Sequence, residues 1–371
     1  MTDPVINIGG KLIGAGHPPL IIAEMSGNHK GSLERALKIV RAAAESGADA
    51  IKLQTFTPAT LTVNSKRPEF FIDDPASLWH GRRLWDLYDE AHTPWEWHEP
   101  IFAIAHSYGL ACISTAFEDS SLKFLLELEV DAIKIASFEL IHIPLIEAAA
   151  RSEKPVLLST GMANISEIDD AVSVLGVNGC NRLILLKCTS AYPSEEKEAN
   201  ILTMQDMSSR YGCQVGLSDH TLRPYAAYAA VALGATVIEK HVTLSRAEGG
   251  VDAAFSLEPP ELRELAEGTE LVWLSRGGIS YGPRLIEETS LKERPSIYVV
   301  GRVKKGERFT EKNIRIIRPG NGLPPKHYQL VIGKCAARDI DAEMPMSWDL
   351  IDGGVQNELL SSFRSTGGPS K

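Results

Sequence analysis

The sequence has no C-x-x-C pair, and its five cysteines (Cys112, Cys180, Cys188, Cys213 and Cys335) are odd in number and scattered. That pattern speaks against a disulfide framework and for reduced thiols, mostly filling the core. No apolar run approaches the ~20 residues needed to cross a bilayer, so no membrane partner is expected. Residues 1–12 lack a basic stretch followed by an apolar core, so no secretory signal is read there. A surplus of positive charge is also missing: the formal net charge of −10 argues against nucleic acid as a partner. At 44% apolar and 23% charged, the composition is that of a folded chain. The expectation is a cytoplasmic protein.

What is present is a repeated unit of short apolar strand, polar loop and amphipathic helix between residues 20 and 275. Strands are expected at Leu20–Met25, Ala50–Gln54, Ala111–Thr115, Ala132–Ala136, Pro155–Ser159, Leu183–Cys188, Gln214–Ser218 and Val237–His241. Each is rich in Ile, Val, Leu or Ala, as parallel strands buried on both faces are. Helices are expected at 32–46, 119–129, 165–175 and 261–275, with Ser32 and Ser166 as N-caps. Such alternation, repeated eight times, predicts a (β/α)8 TIM barrel. A doubly wound sheet would carry a Gly-rich phosphate turn after its first strand; here the first strand runs into Glu24-Met25-Ser26-Gly27-Asn28-His29. The stretch 55–91, with Phe70, Phe71, Trp79 and Trp85, is an insertion that reads as a lid or as a surface excursion.

After about residue 285 the texture changes to short β-type runs with tight turns, as at Ser296–Val300 and Ile314–Ile317. The expected organisation is a barrel over 1–285, a small mostly-β domain over 286–352 and a disordered tail from 353. The β-rich part is locally basic, its Lys and Arg far outnumbering Glu293, Glu307 and Glu311.

Strand alternation asks which polar residues share a face. Glu239 and His241 do in the eighth strand, Gly216 and Ser218 in the seventh with His220 just beyond, and Lys52 and Gln54 in the second. Glu24 closes the first strand, Thr115 the third, and Lys134 lies in the fourth with Ser137 after it. A ring of polar strand ends is where barrel active sites lie. Lys52, Lys134 and Lys187 sit in otherwise apolar strands; convergence on a bound dianion would offset their burial. Pairing with Glu24 or Glu239, or one Schiff-base lysine, are the other readings. His220 and His241 end adjacent strands, a pattern that suits a divalent metal.

These residues resemble the sialic acid synthases. The motifs are Ala-Glu-Met-Ser-Gly-Asn-His (23–29), Lys-Leu-Gln-Thr (52–55), Lys-Ile-Ala-Ser (134–137), Ser-Thr-Gly-Met (159–162), Lys-Cys-Thr-Ser-Ala-Tyr-Pro (187–193), Gly-Leu-Ser-Asp-His-Thr (216–221), Glu-Lys-His (239–241) and Gly-Val-Asp-Ala-Ala-Phe-Ser-Leu (250–257). The segment Ile-Arg-Pro-Gly-Asn-Gly (317–322) resembles an antifreeze-like (SAF) domain. Ala116 and Glu118 depart from the family pattern, where Pro and Asp are usual. The resemblance implies condensation of phosphoenolpyruvate with an amino sugar. Phosphoenolpyruvate would be held at Lys52, Gln54, Thr115, Lys134, Ser137, Lys187, Ser190 and Ser218. A divalent ion (Mn2+ or Mg2+, with Co2+ a further option) would sit on His220 and His241, and Glu24 would be the catalytic carboxylate near C2. Tyr192 and Asp252 match sugar-contacting positions. Arg318 matches a residue that implies a domain-swapped homodimer. The motifs at 23–29 and 187–193 look most like the pseudaminic-acid-forming branch, whose acceptor is a 2,4-diacetamido-2,4,6-trideoxy-altrose.

Overall fold

The computed structural model describes residues 4–353, so the tail beyond Gly353 lies outside the described residues. Contacts divide the chain into two compact units, with the boundary between Gly277 and Gly278. The textural change near residue 285 falls slightly inside the second.

The first unit opens with a hairpin of β1 (Ile6–Ile8) and antiparallel β2 (Lys11–Ile13). Eight parallel strands then close a barrel: β3 (Leu20–Glu24), β4 (Ala50–Thr55), β5 (Ala111–Ala116), β6 (Ala132–Ile135), β7 (Val156–Ser159), β8 (Leu183–Cys188), β9 (Gln214–Asp219) and β10 (Val237–His241). β10 pairs with β3 to complete the ring. Helices cover it by their apolar stripes; in Leu33–Glu45 the buried residues are Ala36, Ile39, Val40 and Ala43, the spacing of one helical face. Ser32 caps this helix, its side chain accepting from Arg35 N. The helix Ile165–Val177 is capped by Asn164, whose Oδ1 accepts from the amides of Ser166 and Glu167, and not by Ser166 as expected.

One apolar cluster fills the lower barrel axis with Leu20, Ile22, Ala50, Ile113, Leu157 and Leu186, joined by Ile6, Ile8 and Ile13 of the hairpin. The hairpin therefore stoppers the barrel floor, each fully buried Ile contributing about 1.5–3 kcal/mol. A second cluster lies between strands and helices.

In the second unit β11 (Ser296–Val299) pairs antiparallel with β12 (Ile314–Ile317). Ile297, Val299, Phe309, Ile314, Met346 and Leu350 form its own core.

Candidate active site

Alternation along each strand decides which polar groups meet above the apolar floor. Leu20 and Ile22 face the axis, so Glu24 does too; Ala50 brings Lys52 and Gln54, Ile113 brings Thr115, and Ala132 brings Lys134. Register then sets neighbours. Glu24 lies beside Lys52 on one side and His241 on the other. Thr115 lies between Gln54 and Lys134, and Ser218 between Cys188 and Glu239. The ring expected from the sequence is thus assembled at the C-terminal end of the strands, the end that carries chemistry in such barrels.

The ring holds charge out of water. Lys52 Nζ forms an ion pair with Glu24 Oε2, donates to Thr115 Oγ1 at 3.2 Å and lies 3.8 Å from Glu239 Oε1. Lys134 Nζ is 3.4 Å from the same Glu239 oxygen, to which Ser218 Oγ also donates at 2.9 Å. The lysines therefore do pair with the barrel carboxylates. The two acids titrate oppositely. Burial raises Glu239, but Lys134, Lys52 and the Ser218 hydroxyl outweigh it and hold its pKa down at about 2. At Glu24 burial wins over Lys52, and the pKa is raised. Burial pulls both lysines down; at Lys52 the carboxylates Glu239 and Glu24 outweigh it and the pKa is raised, whereas Lys134 stays lowered.

Lys187 is not part of this ring. It has the parity of Leu185, which packs toward the helices, and its Nζ donates to Cys188 O at 2.7 Å and to Thr189 Oγ1 at 3.2 Å. Two lysines converge, not three. Cys188 takes the inward place instead. Burial pushes its thiol up, but His220, Ser137 and Lys134 bring it down to about 7. Ser137 and Ser190 come together across Gly161. A Cβ there would overlap Ser137 and stand 2.7 Å from Ser190 Oγ, so glycine is what lets the two hydroxyls approach.

Above the ring the His220 and His241 rings lie 5.4 Å apart. Tyr192 stands 4.4 Å from His220, and Phe255 4.9 Å from His241. Trp79, from the insertion, closes this wall 5.7 Å from Tyr192, its Nε1 donating to Val251 O at 2.9 Å. Asp252 accepts from Ser26 Oγ and lies 3.9 Å from His241 Nδ1. Arg318 is exposed on the second unit, immediately after β12. Trp79, Phe255, Cys188 and Ser26 had no predicted role. Cys188 was accessible from period-two parity; the other three sit in loops, where parity says nothing.

The histidine pair has the donors a divalent ion requires. His220 Nδ1–H donates to Thr189 O at 2.9 Å, so Nε2 is the nitrogen that would face a metal. Burial pulls the His220 pKa down, but Cys188, Thr189 O and Glu239 outweigh it and raise it, so a metal bound there would displace a proton. Burial, with His220 and the lysines, pushes the His241 pKa well below its ordinary value, so this imidazole is neutral. Its Nδ1 and Glu239 Oε2 are buried without a hydrogen-bond partner. Among the described residues His106, Cys112 and Asp131 also cluster. There burial keeps the Cys112 thiol protonated, and Asp131 Oδ2 is occupied by Cys112 N at 2.7 Å and His106 Nε2 at 3.0 Å. That cluster does not suit a metal.

Residues 39–281 match the NeuB family model, and residues 294–352 match the SAF domain. A pseudaminic acid synthase of Helicobacter pylori is 39% identical over 338 residues, covering 90% of this chain and 98% of that protein. An N,N'-diacetyllegionaminic acid synthase of Campylobacter jejuni is 35% identical, over 86% of this chain and 96% of that one. The crystal structure of N-acetylneuraminic acid synthetase from Leptospira borgpetersenii, in complex with citrate, superposes with a TM-score of 0.69 at 32% identity, covering 78% of this chain and 96% of that one. The chain belongs to the NeuB family and is an enzyme of that biosynthetic family, its barrel followed by a SAF domain.

Proposed function

We propose that this enzyme is a transferase that condenses phosphoenolpyruvate with 2,4-diacetamido-2,4,6-trideoxy-altrose and water to give pseudaminic acid and phosphate. The observation that carries the reaction class is the buried pair Lys52 and Lys134, which converge from two strands on Glu239 at the C-terminal end of the barrel. A substrate that brings a phosphate and a carboxylate offers both ammonium groups charge-assisted hydrogen bonds. Gln54, Thr115, Ser137, Ser190 and Ser218 supply the neutral hydrogen bonds around it, with Lys187 at the rim. The choice of sugar rests on the apolar wall of Trp79, Tyr192 and Phe255, which suits a deoxy carbon better than a hydroxymethyl group. The higher identity to the pseudaminic than to the legionaminic relative points the same way.

His220 and His241 would hold the divalent ion, Mn2+ or Mg2+ with Co2+ as a further option, which supplies a Lewis-acid contact to the sugar aldehyde. The chain's own residues do the rest. Lys52 and Lys134 fix phosphoenolpyruvate so that its C3 faces the aldehyde carbon, and a C–C bond forms between them. Glu24, with its pKa raised by burial, takes a proton from the water that adds at C2. Phosphate then leaves by cleavage of the C2–O bond as the new C2 hydroxyl gives up its proton to become the ketone. Of the added water's two protons, one ends on the former aldehyde oxygen, now a hydroxyl, and one on phosphate, Glu24 carrying the first. Asp252 and Tyr192 hold the sugar. A cytoplasmic homodimer, in which Arg318 of one protomer serves the other, belongs to the same proposal and is checked by size-exclusion chromatography of wild type and Arg318→Ala.

Phosphate release with Mn2+, compared across the deoxy-altrose precursor, N-acetylmannosamine and the legionaminate precursor, tests the reading. Turnover confined to the first supports it. Preference for another sugar moves the assignment to N-acetylneuraminate or legionaminate synthase with the same mechanism. Silence with all three leaves a sugar-binding protein and overturns the reaction.

A further inference from the structure

Ser26 holds a backbone conformation that its residue type disfavours. Its φ of 46° lies in the left-handed region, which is costly for a residue carrying a Cβ, and it is buried. Such a conformation persists only where the surroundings enforce it. Here they do. The Ser26 amide donates to Glu24 Oε1 at 2.7 Å, and its hydroxyl donates to Asp252 Oδ2. Gly27 then passes so close to the following loop that a Cβ on it would overlap Val251 and stand 3.0 Å from Ala91 Cα. Asn28 Nδ2 completes the strut by donating to Val242 O and to Ser256 Oγ, each at 2.8 Å. Three consecutive residues fasten the end of β3 to the loop that follows β10.

Glycine at position 26 would adopt this backbone without strain and would still present the amide to Glu24. What it would lack is the hydroxyl on Asp252. The strained residue thus supplies a contact that the relaxed one cannot. Asp252 is itself buried beside His241 and also accepts from the Gly27 backbone, so without the Ser26 hydroxyl it keeps a single tether about which the carboxylate can turn and no longer presents one fixed edge.

We propose that Ser26 is the positioning residue for the acceptor sugar: its hydroxyl aims the Asp252 carboxylate, while its amide separately aims Glu24. This rests on the reading of Asp252 as a sugar contact given above. The two functions separate by substitution, because side-chain variants remove the hydroxyl and keep the amide.

The experiment compares Ser26→Ala and Ser26→Gly with wild type, measuring kcat/KM for the acceptor and KM for phosphoenolpyruvate. Both variants lose one hydrogen bond to a charged group, so acceptor kcat/KM should fall roughly 10-fold or more in each. The KM for phosphoenolpyruvate should stay within about twofold, as expected where the remote substrate keeps its contacts. On an Asp252→Ala background, Ser26→Ala should add less than about twofold, since the two act through one contact. A merely structural role predicts that the variants part: Ser26→Gly, free of strain, would match wild type and only Ser26→Ala would suffer. Wild-type acceptor kcat/KM in Ser26→Gly, or an equal loss toward both substrates, overturns the proposal while the reaction assignment stands. A wild-type chain that turns over none of the three sugars overturns the reaction and this inference with it.

Discussion

Strands β9 and β10 bury charge on both of their faces, and the two faces are built differently. On the outer face Lys240 Nζ meets Asp219 Oδ2 at 2.8 Å, the carbonyl and hydroxyl of Thr221, and Arg223 O at 3.4 Å, while Asp219 Oδ1 accepts from Thr221 N at 2.9 Å. Among these groups nothing is left over. On the inner face, one residue away, Glu239 Oε1 is surrounded by Ser218, Lys134 and Lys52, yet Glu239 Oε2 and His241 Nδ1 have no partner. Burial is the same; saturation is not. An unmet polar atom in a protein interior costs about 1–3 kcal/mol, so a fold that tolerates several on one face keeps them for something that arrives. The outer pair holds the loop that carries His220; the inner set is a site.

Substitution on each face should therefore damage different quantities. His241→Ala removes a neutral imidazole with an unpartnered nitrogen, so turnover should vanish, while the thermal midpoint falls by no more than a few degrees; phosphate release and a melting curve check both. Retained activity would remove the pair from the site. Lys240→Met has the opposite signature. It strands Asp219 in a buried position, which typically costs about 3–5 kcal/mol, to be read from urea unfolding. Adding Asp219→Leu should recover part of that loss, because a buried pair replaced by apolar groups is often near neutral. If Lys240→Met melts like wild type, the distinction between the two faces fails.

Acid sharpens the same contrast. Burial opposes ionisation of Glu239, but the lysines prevail and its folded pKa sits at about 2, against roughly 4.3 in an unfolded chain. A carboxylate depressed on folding stabilises the native state above its unfolded pKa and loses that contribution as pH falls through the folded one. Stability should decline between about pH 4.5 and pH 2 with a slope that Glu239→Gln diminishes. An unchanged slope in that variant would mean that the inner ion pairs do not hold Glu239 ionised.

How much of this was legible depended on periodicity. The eight barrel strands are each found within one residue of their expected ends, because a strand buried on both faces is a continuous apolar run that needs no context. Parity then carried Glu24, Lys52, Thr115, Lys134, Ser218, Glu239 and His241 to one face. Parity also contained the error at Lys187: it follows Leu186, which points inward, and so must point out. The floor hairpin escaped notice because its two strands have three residues each, too few to show a period. Trp79 reaches Tyr192 only through tertiary folding of the insertion, and the loop after β10 brings Phe255 over His241 in the same way. Ser26 could not have been singled out either, since its significance lies in a positive φ that serine gives no sign of adopting.

The smallest expected effect tests an unpartnered hydroxyl of the inner face. Ser159 shares the parity of Leu157, which lines the axis, and its Oγ is buried without a partner. Deleting a satisfied buried hydroxyl usually destabilises; deleting one that bonds to nothing removes a desolvated group and should leave stability within about 0.5 kcal/mol of wild type, or raise it. If the inner face keeps its unmet groups for substrate, Ser159→Ala should nevertheless raise KM for phosphoenolpyruvate several-fold. Stability that is unchanged or higher, together with weaker substrate binding, distinguishes a reserved group from a structural one, and chemical unfolding with steady-state kinetics on the same preparation measures both. A fall in stability with unaltered kinetics would instead make Ser159 part of the saturated framework, and would narrow the unsaturated face to Glu239 and His241.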